Sequence, residues 1–473
     1  MFATDGKSRL KTTSNYIDNT ALWRKIAQLA ENTNTPVYLV GGAVRDSLMG
    51  MEAQDCDFLT LSKAVEFAEI IQRELSGSKI VTFPRFNAAF FFAGAYKLEF
   101  AEPRIAWEGL PESEIVRLDL GARDFTIDAM AVKLFQDDRL EVIDPYKGRE
   151  DLQQGILRTP GAPDDALSDD PLRIIRAFRF AARFKLEIAP ELLDAIRRSS
   201  GQLERVAGER IGEELWKIME LPHPSAALKP MFDQGVLKVI LPEIAALAGV
   251  EKHGYHHHKD IFLHTLKVVD NAAKSGADTV TRFAALLHDV AKPSTRRFDP
   301  EQGYTFYGHE DVGARMAGGI GRKLRYSAER IKLIQKLTKL HMRPVNLVSA
   351  EVTDSAIRRL MTEAGDDLER QLLLCRADIT SGDPRKVKLY LENFDRMYQR
   401  MQEVEEKDKM RAFQSPVRGD EIMEICSLPP CPMVGKIKKA LESAILEGII
   451  PNEYEAAKTY LLENMGKWME ESR

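Results

Sequence analysis

The stretch PVYLVGGAVRD (residues 36–46), followed after SLMGMEAQ by DCDFLT (residues 55–60), decides how the first part of the chain folds. Val37, Tyr38, Leu39 and Val40 form a short apolar run that ends at Gly41-Gly42, and this reads as a strand entering a turn. Without Cβ atoms the backbone there can approach a ligand and turn sharply into the short helix begun by Ala43-Val44-Arg45-Asp46. The N-terminus of that helix suits phosphate oxygens. Side chains alternate along a strand, so Asp55 and Asp57 share one face. Paired carboxylates on one face bind a hard cation such as Mg²⁺ together with substrate phosphates.

A Gly-Gly pair alone is an ordinary turn and an Asp-x-Asp alone an ordinary loop or strand end. In this order and spacing, GGAVRD followed by DCD resembles the catalytic signature of the class II nucleotidyltransferases, the family of tRNA CCA-adding enzymes and bacterial poly(A) polymerases. The resemblance implies that Asp55 and Asp57 are catalytic and hold Mg²⁺, and that Gly41, Gly42 and Arg45 contact a triphosphate.

Composition sets bounds on this reading. A chain of 473 residues with 44% hydrophobic content can bury several cores, which the size prior puts at roughly three or four domains. The net charge of −5 gives no global nucleic-acid signal, so RNA must be met by local basic surface. Two stretches offer it: RIIRAFRFAARFK (residues 173–185), with Arg173, Arg176, Arg179 and Arg183 at helical spacing, and the Lys- and Arg-rich residues 322–343. Cys56, Cys375, Cys426 and Cys431 form no Cys-x-x-Cys pair, which argues against a disulfide framework or a thiolate zinc site. The polar N-terminus lacks the apolar core of a signal peptide and no stretch is long and apolar enough to span a bilayer, so a cytoplasmic protein without a membrane is expected.

Helices and short strands mix up to about residue 145, including NAAFFFAGAY (87–96), residues 98–100 and residues 129–135. From Pro171 onward the period is almost wholly helical. The expected fold class is an α+β head followed by an elongated all-α body. GARDFTIDAMA (121–131) resembles the family's second motif, whose Arg and Asp are associated with ribose and triphosphate contacts. Ala122 stands where an Arg is usual and Asp128 where Asn is usual, so only Arg123 and Asp124 carry over. IDPYKGREDL (143–152) resembles a further motif and reads as a turn.

In SDDPLRIIRAFRF (168–180), Ser168 reads as an N-cap, with Asp169 and Asp170 at i,i+4 and i,i+3 from Arg173 on the helix that follows. The matching family motif acts as a protein template for the incoming base, which implies nucleotide contacts for Asp169, Asp170, Arg173 and Arg176. The chemistry suits that role: Arg can donate to the ring acceptors of C or A, and a carboxylate can accept from the exocyclic amine that both carry. ERIGEEL (209–215) resembles a fifth motif and reads as helical scaffold.

Eight of the nine histidines fall in residues 253–341. The order His264, His288-Asp289, His309, His341 and the late Asp378 on successive helices resembles the HD-domain phosphohydrolases. Imidazole and carboxylate ligands together suit Mn²⁺, Ni²⁺, Zn²⁺ or Fe²⁺ with a position open for a hydrolytic water. His264, His288, Asp289 and Asp378 form the core set, and His309 and His341 would complete a two-metal version. His253 and His256 to His258 read as surface or substrate-facing, and residues 416–452 resemble the tail of HD-containing tRNA nucleotidyltransferases.

The expected organisation is a nucleotidyltransferase head (1–145), a helical neck with the base-recognition motif (146–225), an HD-type domain (226–385) and a helical, tRNA-binding tail (386–473). The resemblance implies an enzyme that completes the 3′ CCA of tRNA from CTP and ATP without a nucleic acid template. The alternatives are a partial CC- or A-adding enzyme or a poly(A) polymerase, and, from another class, an HD metal-dependent phosphohydrolase. Oligomeric state is unknown from the sequence.

Overall fold

The computed structural model describes residues 20–135, 140–249, 260–301, 303–344, 353–380, 383–412, 415–446 and 449–470. Seven strands form the head: β1 (Val37–Val40), β2 (Asp55–Thr60), β3 (Val81–Phe83), β4 (Ala88–Ala93), β5 (Tyr96–Ala101), β6 (Ala131–Leu134) and β7 (Leu140–Ile143). Their order in the sheet is β3-β4-β5-β2-β1-β6-β7. β2 and β5 run parallel while the other neighbours are antiparallel, so the sheet is mixed.

The alternation of side chains gives this sheet two unlike faces. One face sends Cys56, Phe58, Ala89, Phe91, Leu98 and Phe100 into a core closed by the helices Thr20–Asn32 and Ala64–Glu74, with Phe58 and Phe100 stacked at 4.8 Å. On the other, Tyr38, Val40 and Leu59 pack under Ile115, Val116 and Leu120 of the helix Glu112–Gly121. That cover reaches only the β1 side. Val81, Phe83 and Phe92, farther along on β3 and β4, stay exposed.

Three local expectations change. The run 87–96 is a hairpin, broken at Gly94, whose φ of +61° favours a residue without Cβ. Asp128 lies in a 3-10 turn, Thr126–Asp128, ahead of β6. Ser168 does not open the base-recognition helix. It lies inside the helix Pro163–Asp169, which ends at an extended Asp170, and a new helix runs over Arg173–Phe184. Pro171 accounts for the break, because a proline disfavours helical backbone in the residue before it.

From Phe125 to Ala377 the helices share a second core that includes Phe178, Leu215, Phe262 and Phe283. Among the described residues the body is helical apart from a hairpin, Arg297–Asp299 with Gly303–Thr305, and the short pairing of Ile156–Leu157 with Glu187–Ile188. The chain divides into two compact units, 1–344 with 366–382 and 345–365 with 383–473. The second has its own core of Val417, Ile422, Leu441, Ala457 and Leu461, and includes the helix Pro432–Leu446. No helix among the described residues is long and apolar enough to cross a membrane.

Candidate active site and metal centre

Asp55 and Asp57 project from the same face of β2, while Cys56 between them is buried. The parallel pairing sets Lys97 opposite Asp55 and Glu99 opposite Asp57. Glu99 is therefore a third carboxylate of the row, and Lys97 Nζ lies 3.0 Å from its Oε2. The tip of Asp57 reaches solvent, but protein hems it on most sides. That loss of water, reinforced by the charge of Glu99 and opposed by Arg123, pushes its carboxyl up from the ordinary value. Such a row is short of positive charge, and a divalent cation fits it.

Val40 pairs with Asp57, so the Gly41 turn begins beside the carboxylates. Gly41 has φ +73°, and a Cβ there would stand 2.6 Å from Arg123 Nη1. Glycine is thus required twice, for the backbone angle and for the approach of Arg123. Arg123 also bonds Asp119 at 3.3 Å, and its buried Nε has no hydrogen-bond partner. Arg45, expected at the triphosphate, is turned inward instead. Its guanidinium bonds Asp46 at 2.7 Å, pairs with Asp128 and stacks over Phe184 at 4.2 Å. The Asp found where the family has Asn thus gives buried Arg45 a half-buried counter-charge, and the pair braces the turn.

Asp124, expected at the sugar, accepts from Arg173 Nε at 2.9 Å and pairs with Arg176 at 2.5 Å. Arg173 also donates to the carbonyls of Ala166 and Ala122. The carboxylates expected beside Arg173 are elsewhere. Asp170 caps Leu172 N at 3.2 Å and pairs with Arg210 at 2.7 Å, while Asp169 is exposed at the end of the preceding helix. Arg179 is also not RNA-facing, being buried against Glu214 at 2.6 Å.

Arg210 and Glu214 belong to ERIGEEL, read above as scaffold. Their i,i+4 spacing on the helix Gly208–Met219 was the available signal that they share a face. Glu99 had no such signal, because the register of two distant strands is invisible in sequence.

The histidine cluster assembles inside the helical body. His264 Nε2 lies 3.0 Å from Asp378 Oδ1, His288 Nε2 lies 3.2 Å from Asp289 Oδ2, and His309 and His341 approach Asp289 Oδ1 at 3.5 and 3.8 Å. The six fall into two sets, His264-His288-Asp378 and Asp289-His309-His341. Asp289 faces both, one oxygen to each. The Nδ1 atoms of His288, His309 and His341 sit 2.7, 2.8 and 2.7 Å from the carbonyls of Ala285, Phe306 and Thr338. Nδ1–H donates there, which leaves the Nε2 lone pairs facing inward.

Buried His288 Nε2 has no hydrogen-bond partner and faces two carboxylates, an arrangement that a cation resolves. Burial lowers His264, His309 and His341, the last to about 4, which favours their neutral, ligating form. Burial alone would raise Asp289, yet His288 and Lys292 hold it well below the ordinary range, with Lys292 Nζ 2.5 Å from its Oδ2. His253 and His256 to His258 lie outside the described residues.

Comparison with known proteins places these sites in context. Residues 37–158 match the poly A polymerase head domain, residues 185–247 the probable RNA- and SrmB-binding site of polymerase A, and residues 261–383 the HD domain. A multifunctional CCA protein of Neisseria meningitidis is 32% identical over 311 residues, covering 64% of this chain and 72% of that protein. An A-adding tRNA nucleotidyltransferase of Deinococcus radiodurans is 29% identical over 440 residues, 88% of this chain and 93% of its own. In fold, the chain resembles a CCA-adding enzyme solved with ATP, at TM-score 0.61 and 24% identity over 98% of this chain and all (100%) of that one. It also resembles a Thermotoga maritima CCA-adding enzyme solved with tRNA, at TM-score 0.58 and 23% identity over 98% and 100%.

Proposed function

The chain belongs to the class II tRNA nucleotidyltransferase family, and from that premise we propose that it completes the 3′-terminal CCA of tRNA, using CTP and ATP and releasing pyrophosphate. The observation that carries this reading is the row Asp55-Asp57-Glu99 beside the Gly41 turn, with Arg123 reaching into that turn. Asp55 and Asp57, with Glu99 beside them, would hold Mg²⁺. The chemistry bound Mg²⁺ supplies is a lowered pKa for the primer 3′-hydroxyl and neutralisation of the leaving pyrophosphate. Gly41 and Gly42 let the triphosphate approach the backbone, and Arg123 offers it a guanidinium. Arg45 keeps the turn in shape from behind. Arg173 and Asp170 read the base, each held by a separate partner, Asp124 and Arg210.

The His264-His288-Asp289-Asp378 group, extended by His309 and His341, supports a second, metal-dependent hydrolytic site for phosphate esters, with Mn²⁺, Ni²⁺, Zn²⁺ or Fe²⁺ as the fitting ions. One observation favours a narrower nucleotidyltransferase activity, the match over 88% of this chain to a protein named as A-adding.

Extension of three tRNA transcripts, lacking the last three, two or one nucleotides, separates these readings when CTP and ATP are supplied singly and together. Growth of all three to CCA and no further is the expected result. Extension only of the transcript ending in CC would identify an A-adding enzyme, and growth past CCA with ATP alone a poly(A) polymerase. No addition at all would overturn the nucleotidyltransferase reading.

A further inference from the structure

The sheet face that bears the carboxylates does not end with them. Following the register outward from Asp55 and Asp57, the same face carries Lys97 and Glu99, then Phe90 and Phe92, then Val81 and Phe83. The opposite face of these strands is sealed in the core, whereas here Phe83 and Phe92 are 41% and 49% exposed. In the turn beyond β3, Phe86 is 70% exposed with the Arg85 guanidinium 5.9 Å from its ring centre. The rings are in mutual contact: Phe83 stacks on Phe90 at 5.9 Å, Phe90 meets Phe92 edge-on at 5.9 Å, and Lys97 Nζ lies 5.0 Å from the Phe90 ring centre. A cleft of about 730 Å³ follows this face, lined by Phe83, Arg85, Phe86, Asn87, Glu99 and Arg104 among others. The nearby Glu102 is already engaged, by Asn87 Nδ2 at 3.0 Å and Ala64 N at 3.3 Å.

Exposed aromatics interleaved with basic side chains match the chemistry that holds single-stranded nucleic acid: bases stack on the rings and cations meet the phosphates. Sheet order gives the direction. The glycine turn lies at β1, on one side of β2, and the aromatic cleft at β5, β4 and β3, on the other. The carboxylates stand between them. A nucleotidyl transfer needs that separation, with the triphosphate on one side of the metal row and the attacking hydroxyl on the other.

We propose that this cleft is the track for the unpaired 3′ end of the RNA primer, whose last bases stack on Phe83 and Phe86 while Arg85 and Arg104 meet its phosphates. The inference rests on the nucleotidyltransferase reading above and assigns positioning residues to it.

The test uses the full chain and a tRNA transcript ending in CC, extended with ATP. Phe86→Ala raises the KM for tRNA about tenfold, the scale of one lost base stack, with kcat and the KM for ATP unchanged. Phe86→Trp restores it, and Arg85→Ala raises the same constant. A tRNA carrying 4-thiouridine at its 3′ end photo-crosslinks within residues 81–104. An unchanged KM for tRNA with wild-type extension intact, or a crosslink mapping elsewhere, overturns the proposal. So does a fall in molecular mass of the free Phe86→Ala chain by sedimentation, which would identify the face as a contact between copies. A wild-type chain that extends no primer would sink the nucleotidyltransferase reading itself, and this inference with it.

Discussion

The carboxylate row of the head and the histidine cluster of the helical body gather the same kind of chemistry by opposite means. The head draws its acids from two parallel neighbouring strands, leaves their tips open to solvent, and lets Glu99 add to the repulsion on Asp57. The cluster draws ligands from five separate helices or their ends, buries most of them, and fixes three of its rings through Nδ1 bonds to backbone carbonyls. Part of its negative charge is already answered by Lys292, whose Nζ lies 2.5 Å from Asp289 Oδ2. Under the proposed function, the open row would receive its ions with an arriving nucleotide, and the buried cluster would keep its ions between turnovers. The difference also makes the two sites separable by mutation.

The largest effect expected is on the open site. Asp55→Ala or Asp57→Ala should lower nucleotide addition at least about a thousandfold, since each removes a group that stabilises charge at the reacting phosphate. Neither should unfold the protein, because both carboxylates stand on an exposed face and Asp57 is held in an unfavourable charge environment. Addition by the Asp57→Ala protein within tenfold of wild type would break the metal assignment. His288→Ala is the mirror test. It should cut bound transition metal and hydrolysis of bis(p-nitrophenyl) phosphate by at least about a hundredfold, exceeding the loss typical of an outer-shell partner, while nucleotide addition persists. If both activities fell equally, the two regions would not be independent and the cluster would be structural.

The two regions also differed in how far the sequence reveals them. The cluster was legible because its ligands are chemically rare side chains, and His288-Asp289 sits where a helix ends, so their gathering needed little knowledge of tertiary detail. The head was legible in its strand and glycine turn, since period and missing Cβ atoms act locally. What stayed hidden depends on register or on long-range pairing. Glu99 counts only because β5 runs parallel to β2. Arg45 turned inward because Asp128, far along the chain, offers a half-buried counter-charge. The Asp170–Arg173 pair failed because Pro171 ends one helix and forces another to start, which sends the two side chains to different partners.

That failure yields a smaller and sharper test. Arg210, outside any residue expected to touch the base, holds Asp170 at 2.7 Å. Arg210→Ala should loosen Asp170 and reduce the preference for ATP over GTP on a primer ending in CC. A loss of about three- to tenfold corresponds to part of one charge-assisted hydrogen bond. The kcat with ATP should change less, and Arg210→Lys should recover much of the discrimination. An equal loss of rate with every nucleotide would assign Arg210 to folding rather than to the geometry of base choice.

The smallest effect concerns the scaffold beneath the buried cluster. Asp278 caps the helix Thr279–Leu287, which ends at His288, accepting from Thr281 N at 2.9 Å and from Arg370 Nε at 2.7 Å. Burial works against its carboxylate, but the bonds from Thr281 and Arg370 prevail and lower its pKa below the ordinary value. An acid depressed on folding stabilises the folded state above its unfolded pKa, near 3.9, and loses that contribution as pH falls through the folded value. Asp278→Ala should therefore cost about 1 kcal/mol in urea unfolding at pH 7, and the same at pH 5.5. The gap from wild type should narrow only below about pH 4, where the unfolded chain begins to take up the proton. Asp278→Asn, which keeps a capping oxygen and gives up the charge, should fall between the two. A gap that already closed by pH 5.5 would mean that the cap draws its strength from a histidine of the cluster, and the scaffold and the metal centre would then have to be treated as one titrating unit.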